Sequence, residues 1–177
     1  MTAPGQQGAP RLRGSVIIDE IKKAGVQYVV SVPDLHTSAG LLRPIAQDPD
    51  FRHIRVCKED ECFGIAAGLT YGPRRSIILM QYTGFLYAAN AVRGVACEQK
   101  LPICFMIGLL GKEPGVPPTQ SGKFGVRIIE PILSAMGVRQ TCIETDADAP
   151  RISACIDEAW RESRPTAILI GGRPEAQ

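Results

Sequence analysis

The sequence predicts an α/β fold: a single three-layer domain with a six-stranded, mostly parallel sheet and helices on both faces. Three observations predict it. Short apolar runs alternate with amphipathic stretches from residue 11 onward, as in repeated β–α units. The apolar runs are continuous rather than alternating, so both sheet faces are covered. The chain has 177 residues, close to one domain at ~150 residues each, and shows no repeat of solenoid period.

Taken in order, residues 15–24 (SVIIDEIKKA) have helical apolar spacing and stop at Gly25, a suitable C-terminal cap. Residues 28–32 (YVVSV) read as a buried strand broken at Pro33-Asp34, 37–45 as helix and 53–56 as strand. Residues 59–71 are Ala/Gly-rich and helical, ending at Gly72-Pro73; 76–81 (SIILMQ) form a strand, 88–98 a helix and 103–108 (ICFMIG) a strand. A Gly/Pro-rich loop over 111–125 precedes a helix over 128–136, stopped by Gly137. A strand over 140–143, a charged amphipathic helix over 150–162 and a last strand over 166–171 complete the domain. The domain is expected over 11–172, with residues 1–10 and 173–177 as flexible ends.

Composition excludes several classes. Hydrophobic residues make up 45% and charged residues 21%, ordinary for a globular protein. Twenty Lys+Arg against 18 Asp+Glu leave a net charge of +2, too balanced for a nucleic-acid or anionic-membrane surface. No apolar run approaches the ~20 residues of a bilayer span. The first ten residues lack the charged and apolar regions of a secretory signal, so a cytoplasmic setting with six reduced cysteines is expected. His53, Cys57 and Cys62 lack a fourth ligand and a C-x-x-C partner, so no metal site is expected in this chain.

In parallel α/β sheets ligands bind at the carboxyl ends of the strands. Residues 33–36, 57–61, 81–86 and 109–125 are therefore the places to look. There is no P-loop, no G-x-G-x-x-G after a strand and no G-x-S-x-G elbow. What remains is Lys58-Glu59-Asp60-Glu61, leading into a helix with Gly64, Ala67 and Gly68 on one face. Its plainer reading is a solvated helix start, where carboxylates complement the dipole. Against that, small residues there and at Thr83-Gly84 allow close approach of backbone or ligand.

These residues carry a resemblance. Gly64-Ile65-Ala66-Ala67-Gly68 after an acidic turn, Met80-Gln81-Tyr82-Thr83-Gly84 and Pro131-Ile132-Leu133-Ser134-Ala135-Met136-Gly137 match, in order, motifs of the pyrimidine-binding domain of thiamine-diphosphate-dependent enzymes. The chain most resembles sulfopyruvate decarboxylase alpha subunits and the N-terminal half of phosphonopyruvate decarboxylases, from about residue 14 to 171. The resemblance implies a 2-oxo acid decarboxylase subunit. Glu59 would be the glutamate that hydrogen-bonds the cofactor's aminopyrimidine ring and favours its imino tautomer, with Pro33, Gln81, Thr83 and Gly84 lining the pyrimidine slot. His36 would be a catalytic acid/base or a contact for the substrate carboxylate, or else a loop histidine facing solvent. Gln120, Lys123 and Arg127 would hold an anion, or lie in a solvated loop.

The chain departs from the relatives at Tyr82, where they carry Asn, and at Phe85-Leu86-Tyr87, where they carry Leu-Gly-Asn. Bulk at Leu86 and Tyr87 is expected to narrow the pocket, which leaves a less polar 2-oxo acid as the rival substrate. The Gly-Asp-Gly turn that holds magnesium and the diphosphate in such enzymes is missing. The resemblance therefore implies a separate diphosphate-binding beta subunit carrying the Mg2+. A non-catalytic binding or assembly module, and a carboligase or aldehyde-forming relative, are the alternatives.

Overall fold

The strands are β1 Tyr28–Ser31, β2 Arg52–Arg55, β3 Ser76–Gln81, β4 Cys104–Gly108, β5 Arg139–Ile143 and β6 Thr166–Ile170, seen in a computed structural model that describes residues 11–176. They form one sheet in the order β2-β1-β3-β4-β6-β5, with every neighbouring pair parallel. The inner strands β4 and β6 are buried along their whole length, which is why they read as unbroken apolar runs. β2, at an edge, is polar and partly exposed.

The helices are α1 Gly14–Lys23, α2 Arg43–Gln47, α3 Glu59–Tyr71, α4 Tyr82–Ala91, α5 Phe124–Arg127, α6 Ile129–Ala135 and α7 Pro150–Glu162. On one face Ile17, Ile21, Ile45 and Ile156 of α1, α2 and α7 pack on Val29, Leu79, Met106 and Ile168. On the other, Phe63, Phe85 and Leu133 of α3, α4 and α6 pack on Val30, Ile78, Phe105 and Leu169. The chain thus leaves β1 toward one face and β3 toward the other. The carboxyl ends of strands at such a reversal are the usual ligand position in sheets of this kind. A second reversal separates β4 from β6.

Several boundaries differ from expectation. The helix expected over 37–45 starts as a π-helical turn, Ser38–Leu42, before α2. The helix expected over 88–98 begins six residues earlier, at Tyr82, and ends in a second π-helical segment, Val92–Cys97. Thr83-Gly84 is therefore the first turn of α4 rather than a loop, and Gly84 is not among the glycines with positive φ. Gln81 is extended (φ −86°, ψ 161°), and the helix follows the strand without a connection. The helix expected over 128–136 is α6, and a short helix not expected, α5, precedes it across Ile128.

The segment 1–10 lies outside the described residues. The segment read as a loose tail from residue 173 is tied down as far as Glu175. Glu175 N donates to Leu12 O (2.8 Å), Gly14 N donates to Glu175 O (3.1 Å), and the Glu175 carboxylate pairs with Arg11 (2.6 Å).

Candidate functional site

Glu59 is the first residue of α3, and its carboxyl group lies directly against Gly84 in the first turn of α4. A methyl group at Gly84 would sit 2.4 Å from Glu59 Cγ and 2.5 Å from Oε1. The aromatic core holds the two helices in this relation. Phe63 lies one turn after Glu59 on the same side of α3, and its ring meets Phe105 of β4 edge-on at 5.4 Å. Phe85, next to Gly84, stacks on the same Phe105 ring at 6.1 Å.

The three consecutive acids have different work. Glu61 Oε2 accepts from Cys57 N (3.1 Å) and Lys58 N (3.2 Å), closing the start of α3. Asp60 Oδ1 accepts from Glu61 N (3.0 Å). Among the described residues nothing hydrogen-bonds or ion-pairs with the Glu59 carboxylate, so its acceptor capacity is open. Two helix N-termini converge on it, and both favour negative charge there.

The other residues of the expected slot lie at the ends of β1 and β3 and at the start of α4. Gln81 ends β3, and its amide donates to Thr83 Oγ1 (3.0 Å), so the two side chains orient each other. Pro33 follows β1 and is exposed. Phe85, Leu86 and Tyr87 are helical residues, not a loop: Phe85 is in the core, Leu86 packs against it, and Tyr87 is 58% exposed. Tyr82 lies on Gly125, where a methyl group would come within 2.4 Å of its ring.

His36 does not face solvent; it is 5% exposed. Asp34 folds the turn that aims it inward, its Oδ1 accepting from the backbone N of His36 and of Thr37, both at 2.6 Å. His36 Nε2 lies 3.0 Å from Ile170 O; a carbonyl only accepts, so this nitrogen carries the proton. Burial pushes the pKa of His36 down, with backbone carbonyls and Asp34 opposing the shift. The ring packs over Gly108 at the end of β4, where a methyl group would meet Cδ2 at 3.1 Å. It lines a cavity of about 530 Å³ that includes none of Pro33, Glu59, Gln81, Thr83 or Gly84. His36 and Glu59 thus share the carboxyl edge of the sheet but belong to different parts of it.

The loop over 111–125 is built rather than merely solvated. Glu113 accepts from Ser121 Oγ (2.7 Å) and Gly122 N (3.1 Å), and Arg127 donates to Ser121 O (2.8 Å). Arg127 therefore fixes the loop, while Gln120 and Lys123 are exposed. Sequence reasoning missed Lys112 and Glu144, a pair at 2.7 Å with the lysine side chain fully buried. A lysine flanked by Gly111 and Glu113 in a Gly/Pro-rich loop carries no local signal of burial, because its partner lies 32 residues on, after β5.

Among the described residues no three His, Cys, Asp or Glu side chains group so as to hold a metal ion. None of their helices is long and apolar enough to cross a membrane. No cysteine among them is in a disulfide.

No protein-family model matches the chain. Curated relatives do. The chain is 31% identical over 158 residues to the sulfopyruvate decarboxylase subunit alpha of Methanothermobacter thermautotrophicus, covering 85% of this chain and 90% of that one. It is 30% identical over 161 residues to the protein of the same name from Methanocaldococcus jannaschii, covering 90% and 94%. To that of Methanococcus maripaludis it is 30% identical over 114 residues, covering 63% and 68%.

Proposed function

The chain belongs to the family of sulfopyruvate decarboxylase alpha subunits, and from that premise we propose that it is the pyrimidine-binding subunit of a thiamine-diphosphate-dependent 2-oxo acid decarboxylase, with sulfopyruvate as its substrate. The observation that carries the reading is the open carboxyl group of Glu59 seated on side-chain-free Gly84. It suits a ring nitrogen of the cofactor: the glycine makes room for the carboxyl group itself, and among the described residues that group has no hydrogen-bond partner.

Bound thiamine diphosphate supplies the electron sink that decarboxylation of a 2-oxo acid requires. Glu59 would hold a proton at a pyrimidine ring nitrogen, and Gln81 and Thr83, whose side chains orient each other, would border the ring with polar atoms. Phe63, Phe85 and Phe105 keep the two helix starts in register, so that the carboxyl group does not have to be repositioned in each turnover. Asp60 and Glu61 take no part, since each commits one carboxylate oxygen to the backbone of the helix start.

A diphosphate end held through a divalent metal needs an oxygen-rich ligand set, which we assign to a partner subunit. The word "alpha" in the relatives' names supports such a partner. The exposed sides of α3 and α4 suit the seam. A side chain at Gly64 or Gly68 would meet open space, and Tyr71 and Tyr87 are 72% and 58% exposed. An obligate seam of this kind buries upward of ~2,000 Å².

The test is to purify the chain alone and with its diphosphate-binding partner. Magnesium-dependent thiamine diphosphate binding is then measured by calorimetry, and carbon dioxide release from sulfopyruvate and from uncharged 2-oxo acids is followed. Binding and turnover are expected only in the mixture, with sulfopyruvate preferred. Tight cofactor binding and decarboxylation by the isolated chain would refute the divided site; preference for an uncharged side chain would replace the substrate and leave the reaction class.

A further inference from the structure

Two cysteines from distant parts of the chain meet beneath α7. Cys104 opens β4 and is paired in the parallel register with Thr166 of β6, so the two side chains point to the same face. That face is the one α7 covers: Thr166 Oγ1 donates to Cys155 O of α7 (3.1 Å), and Cys155 Sγ lies 3.8 Å from Ala167 O. Cys104 and Cys155 belong to one buried cluster, and their thiols hydrogen-bond each other.

Their surroundings make them unequal. Cys104 is sealed in the core at 1% exposure. Cys155, at 8%, lines an open cavity of about 220 Å³ with Arg139 and Gln140 of β5 and Arg151 of α7. Arg139 is already paired with Glu158, and Arg151 with Asp148, so the cavity suits a small neutral molecule. The hydrogen bond from Cys104 holds the pKa of Cys155 below the ordinary thiol value, against burial. Burial and the same bond push Cys104 well up. Burial also raises Cys62 and Cys142, both to about 12, and Cys97. Since the thiolate is the nucleophile, Cys155 is the one to react and Cys104 the one to follow.

We propose that Cys155 and Cys104 form a reversible redox pair, Cys155 taking oxygen from hydrogen peroxide and Cys104 closing the disulfide. The Cys155 thiolate attacks one peroxide oxygen, the O–O bond breaks, and the departing hydroxide takes up the thiol proton as water, leaving a sulfenic acid. The Cys104 sulfur then displaces the sulfenic hydroxyl, which leaves with the Cys104 proton as a second water. The two thiols lose two electrons in all and the peroxide gains them. A dithiol reductant reverses the bond by exchange. The pair lies at the amino ends of β4 and β6, and the inference does not depend on the decarboxylase reading.

The test uses the full chain carrying Cys57→Ser, because Cys57 is exposed and would react on its own account. It is treated with a small excess of hydrogen peroxide, alkylated after denaturation without reductant, and mapped by peptide mass spectrometry. A Cys104–Cys155 cross-linked peptide is expected, and dithiothreitol should abolish it. With dimedone present, which traps sulfenic acids, Cys104→Ser should accumulate the adduct on Cys155. Cys155→Ala should leave Cys104 unoxidised. Circular dichroism checks that each variant is folded, and the cross-link itself is read without either. No cross-link, a Cys155 sulfenic acid that never closes, earlier oxidation of Cys62, Cys97 or Cys142, or oxidation of Cys104 without Cys155 would overturn the proposal.

Discussion

Gly84 is bare where Glu59 is folded against it: a methyl group there would come within 2.4 Å of Glu59 Cγ. This is a long-range constraint between two helix starts rather than a backbone requirement, since the φ of Gly84 is not positive. An alanine would be tolerated by the helix and rejected by the glutamate.

Gly84→Ala should therefore separate stability from function. Alanine gains about 1 kcal/mol of helix propensity over glycine, and Glu59, half-exposed and unbonded, can swing aside. The urea midpoint should change little, while cofactor affinity and turnover of the assembled enzyme fall. A variant as active as wild type would show that the position of Glu59 against Gly84 is incidental.

Glu61→Ala should do the opposite. It removes the acceptor for Cys57 N and Lys58 N at the start of α3, at a cost of about 0.5–2 kcal/mol. Denaturation should record that loss, with kcat within about threefold of wild type if no proton passes through this group. A drop in kcat as large as that expected for Glu59 would assign the chemistry to the wrong acid.

Stability should fall on mild acidification. Burial holds the pKa of His36 below its ordinary value of 6.5; burial, with Arg55 nearby, does the same for His53. The unfolded chain takes up protons as pH drops through about 6.5 that the folded chain does not, so stability decreases there. The carboxylates of Asp146 and Asp148, whose pKa values lie below 3.8, add a further loss only in stronger acid. His36→Gln keeps a donor for Ile170 O and removes the titration. Urea midpoints at pH 7.5 and 5.5 should differ less in this variant, and an unchanged difference would contradict the assignment.

Most of the architecture is written locally. Buried strands such as residues 104–108 must be apolar on both faces, and helix ends at Gly25 and Gly137, both with positive φ, carry their own stop signals. What was illegible depends on distant partners. The start of α4 at Tyr82 was hidden because Thr83-Gly84 resembles a turn, whereas the glycine answers to Glu59 on another helix. The ties of Glu175 to Leu12 and Gly14 join the two ends of the domain, and no local pattern encodes them. Only the resemblance set Glu59 apart from Asp60 and Glu61, since three consecutive acids at a helix start look alike locally. The burial of His36, set by Asp34 and by the end of β6, had no local signal either.

The central claim is that Glu59 handles a proton while its neighbours build the helix. The most direct test is kcat for sulfopyruvate decarboxylation by Glu59→Gln, assembled with its partner subunit at saturating cofactor, with thermal unfolding measured in parallel. Because the carboxylate has no partner among the described residues, folding should be nearly unaffected, apart from about 0.3–1 kcal/mol of lost helix-dipole interaction. Turnover should fall by roughly 10²–10⁴. Turnover equal to wild type in a folded, assembled variant would contradict the account.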